Sequence, residues 1–419
     1  MAAASGQILV VGGGPAGAVT AYWLGRAGFH VTVIERAAAR FANGQGIDIT
    51  GPAVEVVRRM GLENEIRANT TGEAGFAILN DDAEPVGVVG TAGEASSADN
   101  GSRTLSLTKE IEIMRGTLSR ILAGAAESLP HVTYKYGCSV SEIRQSETGV
   151  TAVLSDTGKA DTYAAVIGAD GLNSKVRRLA FDPDTNSKCL RPLDQYGAFF
   201  SMPGQEEDVP NARWQHFTRG RSAIVRPIDQ TPTKSSGIVV LNGKSKVLED
   251  VVDGSREDQK RTMSAEFVGL PGLGPRVIQQ MNDADDFYFT RIAQIKLDRW
   301  HNGRVALVGD AAYAPSPNTG AGTLLAIVGG YLLAGELARS PDEPAMAFER
   351  YHALLKDFVA KKQVLPLSGQ APKLLNPQTA WGIWILRTIF WFVAWSGVWK
   401  YASISPQATI DLPEYTFSA

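Results

Sequence analysis

Cysteine is nearly absent from the 419-residue chain: Cys138 and Cys189 are the only two, and no C-x-x-C spacing joins them. So few exclude a disulfide framework and fit two reduced thiols in a cytoplasmic protein. The five histidines, His30, His131, His216, His301 and His352, are scattered, so no metal site is expected. There is no basic excess either. The net charge is −3 with charged residues at 20%, which leaves no electrostatic footprint for nucleic acid. Residues 1–6 have neither a basic nor an apolar leader region, which argues against secretion. No internal repeat and no long low-complexity run is present, and residues 91–101 read as polar loop. The length allows about two or three domains with a large core.

The most informative stretch is residues 7–36, QILVVGGGPAGAVTAYWLGRAGFHVTVIER. An apolar run breaks into Gly12, Gly14 and Gly17, continues as a helix, and returns as a second apolar run ending in Glu35, 23 residues after Gly12. This is the pattern of a βαβ unit built around a phosphate. Gly12 permits the sharp turn, Gly14 removes a side chain that would block a pyrophosphate, and Gly17 lets helix and sheet approach. The phosphate would sit on the helix N-terminus, and Glu35 could accept hydrogen bonds from a ribose.

Two later stretches repeat the logic of a buried strand, a tight acidic turn and a helix. Residues 164–168 lead into Gly168-Ala-Asp170-Gly171, and residues 303–308 lead into Gly309-Asp310-Ala-Ala-Tyr313, then the loop Pro317-Asn-Thr-Gly320-Ala321-Gly322 and an apolar helix to about residue 338. Such turns lie at the carboxyl ends of strands, where open α/β sheets bind ligands. Residues 37–50 form a loop in which Gln45 and Asp48 either run close to a ligand or are solvated, and Pro52 opens a short helix that stops at Gly61. A helix is expected over 109–128, with Arg115 at the edge of its apolar face, there to meet an anion or to snorkel to the surface. The segments 197–202, 212–218, 222–227 and 236–241 alternate as strands of an antiparallel sheet inserted into the first domain.

With these three stretches the chain resembles the FAD-dependent monooxygenases of the para-hydroxybenzoate hydroxylase superfamily, most of all the tetracycline-inactivating type. The resemblance covers residues 7 to about 351. It implies an α/β fold with a Rossmann-like FAD-binding domain (1–72, 104–182, 297–345), a substrate-binding β-sheet domain (73–103, 183–296) and a C-terminal helical segment (346–419). It further implies that Gly12, Gly14, Ala16, Gly17, Glu35 and Arg36 hold the ADP half of FAD, with Gln45 on the flavin-side loop. Arg115 would reach the phosphates, Asp170 and Gly171 would touch FAD and the nicotinamide donor, and Gly309 and Asp310 would bind ribityl or ribose hydroxyls. Pro317, Gly320, Ala321 and Gly322 would border the isoalloxazine ring. By the same resemblance, NAD(P)H reduces FAD, and the reduced flavin with O2 gives a C4a-hydroperoxide that delivers one oxygen atom to an electron-rich, mostly apolar aromatic or polycyclic molecule. Many members carry histidine where this chain has Tyr313. Tyr313, Asp48, Arg213 and His216 are the pocket candidates, each with an ordinary structural role as the alternative. A flavin reductase or desaturase, and a membrane-docked flavoprotein interaction module, are the rival readings.

The tail is unusual: five of eight tryptophans lie between Trp381 and Trp399. Arg387 interrupts the apolar run, which leaves three readings: packing on the protein or a subunit, a helix lying on a membrane through residues 381–401, or a span.

Overall fold

The computed structural model describes residues 6–40, 44–90, 111–369, 374–401 and 408–417. Its organising layer is a six-stranded sheet in the order His301–Asn302, Val305–Leu307, Ala165–Gly168, Gln7–Val11, His30–Glu35, Val132–Tyr136. All pairs are parallel except the first. The central strands are continuous apolar runs because both faces are covered: Ile8, Leu9 and Val10 are wholly buried. Helices Pro15–Arg26 and Gly322–Arg339 cross there, and the second is apolar all round because it lies inside the protein. The two approach closely at Gly330, where a Cβ would stand 3.1 Å from the Ala16 carbonyl oxygen.

The second layer is a seven-stranded sheet ordered Tyr288–Ile295, Leu190–Pro203, Lys234–Asn242, Arg221–Pro227, Asn211–Phe217, Gly75–Leu79, Pro85–Gly90. The fold class is therefore the expected α/β arrangement with an added sheet. Two features depart from the sequence reading. The sheet is not wholly antiparallel: Asn211–Phe217 runs parallel to Gly75–Leu79, because the chain leaves the sheet through the first domain and re-enters in the same sense. Residues 246–283, read within a β-sheet domain, form the helices Lys246–Asp250, Arg256–Glu266 and Leu273–Asp283, which cover one sheet face through Leu248, Met263, Val277 and Met281.

The helix expected from 109 begins later. Residues 109–110 lie outside the described residues, as do 91–101, and Glu112–Met114 form a strand paired with Gly46–Asp48 before the helix Arg115–Glu127 begins. Three apolar residues in helical register could not be told from a short buried strand by periodicity. At the C-terminus, Ala380–Ser396 is a helix against the edge of the second sheet. Residues 408–417 return to the first domain, where Phe417 packs on Trp23 and Tyr415 donates a hydrogen bond to buried Glu336.

Candidate functional site

The glycine turn is built as its spacing requires. Gly12 has φ +110°, and a Cβ there would overlap the Ala169 carbonyl and stand 2.9 Å from the Asp170 nitrogen. A Cβ on Gly17 would overlap the Gly12 carbonyl oxygen. Gly14 differs: it is the N-cap of Pro15–Arg26, in extended conformation, and a Cβ there meets nothing within 4 Å. It borders open space, and the helix start behind it has no side-chain cap and no acid in its first turn. Free N–H groups and a positive dipole end beside that open space fit an anion. Glu35 lies beside the same turn. Its carboxylate accepts from Gly13 N and Ala37 N, both at 2.9 Å, while Arg36 is exposed.

The other two turns close on this one. Gly309, at φ +66°, lies so near that a Cβ would come 2.8 Å from the Ala16 Cβ. Val308 N donates to Gly168 O at 2.9 Å, joining the two acidic turns. The Asp170 carboxylate is spent on its own turn, accepting from Ser174 Oγ (2.5 Å), Lys175 N (2.6 Å) and Val176 N (3.0 Å). It holds the geometry of the turn, and Gly171, at φ +79°, borders open space. Sequence reasoning passed over the residue that ties the turns together. Arg177, 4% exposed, donates to Ala311 O and Leu172 O, both at 2.7 Å. An arginine next to Val176, two residues before Leu179 in the helix Lys175–Ala180, was the available signal.

Asp310 is solvent-accessible yet stands deep among protein atoms, which raises its pKa, and Arg115 opposes that shift. Arg115 is the first residue of its helix, and its backbone N donates to Gln45 O at 3.0 Å. Pro317–Thr319 forms a 3-10 turn after Ser316, whose φ of +81° is unusual for a side-chain-bearing residue. Gly320 takes φ +61°, Ala321 is the N-cap of Gly322–Arg339, and this helix start again lacks a side-chain cap or acid. Asn318 Nδ2 donates to Gln195 Oε1 at 2.7 Å, so the loop is fastened to the second sheet. A cavity of about 400 Å3 opens at that bond, lined by Gln195, Asn242, Lys244, Asn318, Leu365 and Gln378.

The pocket candidates fare differently. Tyr313 is 1% exposed and turns into the core, where its hydroxyl lies 2.9 Å from the Tyr351 hydroxyl and its ring packs on Trp300. The sequence placed it in the pocket because it follows Asp310. Asp310 and Tyr313 stand at the two ends of one four-residue helix, the first open to solvent and the second packed in the core. Arg213 faces the covering helices, donating to Ala83 O at 2.7 Å near Asp208, on the face away from the cavity. His216 points to the other face but lies sealed against Trp214, and burial with the nearby Arg387 charge lowers its pKa to about 3, so it stays neutral. For Arg213 and His216 the cause is the strand they share, on which side-chain direction alternates from one residue to the next.

Asp48 joins a group that the sequence did not assemble. Across the short ladder it pairs with Glu112. Arg226, on the second sheet, forks onto Glu73 with two bonds of 2.9 Å and meets Glu112 at 2.5 Å. Burial pushes the Glu112 carboxyl up to about 7; Arg226 opposes this, while Glu73 and Asp48 add to it. Gly46 lacks a Cβ where one would overlap Glu112 Oε1, so the loop lies directly on the carboxylate. An acid between Ile111 and Ile113 in an apolar run was the signal for a buried charge.

The arrangement has known relatives. A family model described as FAD binding domain matches residues 5–353. The chain is 49% identical to Monooxygenase CTB7 of Cercospora beticola, covering 100% of this chain and 99% of that one. It is 30% identical to the FAD-dependent monooxygenase asL4 of Sarocladium schorii, over 93% and 92% of the two chains. The crystal structure of tetracycline destructase Tet(51) superposes with a TM-score of 0.78 at 28% identity, over 98% of this chain and 99% of that one.

Proposed function

Since the chain belongs to the FAD-binding family of monooxygenases, we propose that it uses NAD(P)H and O2 to place one oxygen atom on an electron-rich aromatic or polycyclic small molecule, by hydroxylation or epoxidation. The observation that carries the reading is the packing of three separated glycine and acid turns against one another, with a cavity of about 400 Å3 where the loop after the third turn is fastened to the second sheet. The residues fit FAD. Gly14 leaves the space a pyrophosphate needs, and two uncapped helix starts, at Pro15 and Gly322, offer N–H groups to anionic parts of the cofactor. When bound, FAD supplies the redox chemistry: it accepts a hydride from the nicotinamide donor and, once reduced, activates O2.

The chain's own residues bind, orient and shield. Glu35 would take the ribose and Arg115 the phosphates, and Asp170 would act through the turn it holds. The N-terminus of Gly322–Arg339 would favour negative charge on the reduced ring. The cavity, at about 400 Å3, suits a polycyclic small molecule, and its amide side chains Gln195, Asn242, Asn318 and Gln378 suit ring carbonyls or hydroxyls at the periphery of an otherwise apolar substrate. Lining groups of this kind do not call for a covalent nucleophile.

The test is a panel of aromatic and polycyclic compounds with FAD-loaded protein. A true substrate should raise NAD(P)H oxidation, and 18O2 should label the product with one atom per nicotinamide consumed. Nicotinamide oxidation without label in any product would favour a reductase or desaturase instead. Protein that fails to bind FAD at all would end both readings.

A further inference from the structure

From residue 364 onward the surface changes character. Val364, Leu367, Leu374, Leu375, Trp381, Trp384, Ile389, Trp391, Phe392, Trp395 and Val398 are all exposed, whereas only six large apolar side chains before residue 364 are similarly open among the described residues. On helix Ala380–Ser396 the exposed aromatics stand at 381, 384, 391, 392 and 395, which is one face at 3.6 residues per turn. Trp381 is 71% exposed and Trp395 72%. The opposite face is the one that packs: Ile383 is 6% exposed, Phe390 meets Phe76, and Gly87 leaves room for Ala394. Arg387 also turns inward, donating to Asp81 at 2.8 Å, so no charge interrupts the outer stripe. The Thr388 hydroxyl, within that stripe, is satisfied by Trp384 O at 2.8 Å.

Charge is segregated in the same region. From Phe358 to Ile410 the sequence has no Asp or Glu but carries Lys361, Lys362, Lys373, Arg387 and Lys400, in a chain whose net charge is −3. Along the sequence three of these lysines precede the aromatic helix and one follows it, while Arg387 within it is paired with Asp81. We propose that this helix is a monotopic docking surface for an anionic lipid bilayer, with its tryptophans in the headgroup layer and the acid-free, lysine-bearing composition of residues 358–410 favouring acidic headgroups. It lies on the membrane and does not cross it. Among the described residues no helix is long and apolar enough to span. A second copy of the chain fits the observations less well. Pairing two copies through this stripe would set two acid-free, cation-bearing segments against each other. The placement has a use for the cavity described above. Gln378, in its wall, lies two residues before the helix begins, so an apolar substrate dissolved in the bilayer would reach the mouth without crossing bulk water.

The test is flotation of the full-length, FAD-loaded protein with vesicles of phosphatidylcholine alone and of phosphatidylcholine with phosphatidylserine, at low and high salt. Binding should be strong on the mixed vesicles, weaker on neutral ones, and reduced by salt, with a blue shift of tryptophan emission. The variant Trp381→Ser/Trp395→Ser should bind about tenfold more weakly while keeping its bound-flavin absorbance, which shows that it is folded. Trp381→Phe/Trp395→Phe should retain most of the binding. Three results would overturn the proposal: no flotation on either vesicle, equal and salt-independent flotation on both, or a lipid-free dimer that the serine variant dissolves.

Discussion

Replacing Gly14 with valine and Gly17 with alanine should separate cofactor binding from folding, although the two positions are three residues apart in one motif. At Gly14 the backbone is extended (φ −72°, ψ −177°) and precedes a proline, a conformation any residue adopts, and a side chain would project into open space. The fold should therefore lose only about 1 kcal/mol, from the poorer N-cap. Bound FAD would lose more. A valine side chain at the helix start denies the pyrophosphate two charge-assisted hydrogen bonds, at ~1.5–3 kcal/mol each, which is about 10²–10⁴ in Kd. At Gly17 the added methyl would overlap the Gly12 carbonyl oxygen, with the carbonyl carbon at 3.1 Å, and backbone cannot step aside without opening the helix from the sheet. The cost should be about 3 kcal/mol or more, felt with or without cofactor. The assay is the melting temperature of both apoproteins by circular dichroism, and FAD affinity by quenching of flavin fluorescence. The reasoning fails if Gly14→Val binds FAD within about threefold of the parent, or if the two apoproteins melt together.

Three further outcomes follow from the site. Tyr313→Phe should reduce stability by about 1 kcal/mol, the lost hydroxyl pair with Tyr351, and leave kcat and FAD affinity unchanged; a large fall in kcat would return the residue to the pocket. Glu112, raised to about 7 from the ordinary 4.5, binds more protons folded than unfolded, so its contribution to stability is greatest at low pH and is lost as pH rises from about 4.5 through 7. Glu112→Gln should accordingly flatten the fall in unfolding free energy between pH 5 and 8, measured by denaturant titration, by on the order of 3 kcal/mol, with Arg226, Glu73 and Asp48 as the charges facing the site; an unchanged slope would refute the assignment. Arg177→Lys, which cannot reach both the Leu172 and Ala311 carbonyls, should cost a few kcal/mol and weaken FAD binding, seen as flavin loss on dilution.

The cofactor half of the protein was legible in the chain because its signals are local. The glycines at 12, 14 and 17, the acids at 35, 170 and 310, and the buried strands before them each announce a turn that the backbone must make, whatever packs around it. The tail's tryptophan density was equally plain. Tertiary structure decided where side chains point and which distant residues meet. Tyr313, Arg213 and His216 are near the right turns in sequence but face the core, the covering helices and a sealed interface, which only the elements packed around them decide. The cluster of Asp48, Glu73, Glu112 and Arg226 joins four segments up to 178 residues apart, and no pattern within one segment encodes a contact between segments. Sequence set the phosphate turn by short-range sterics, and the fold chose the lining of the cavity by long-range packing.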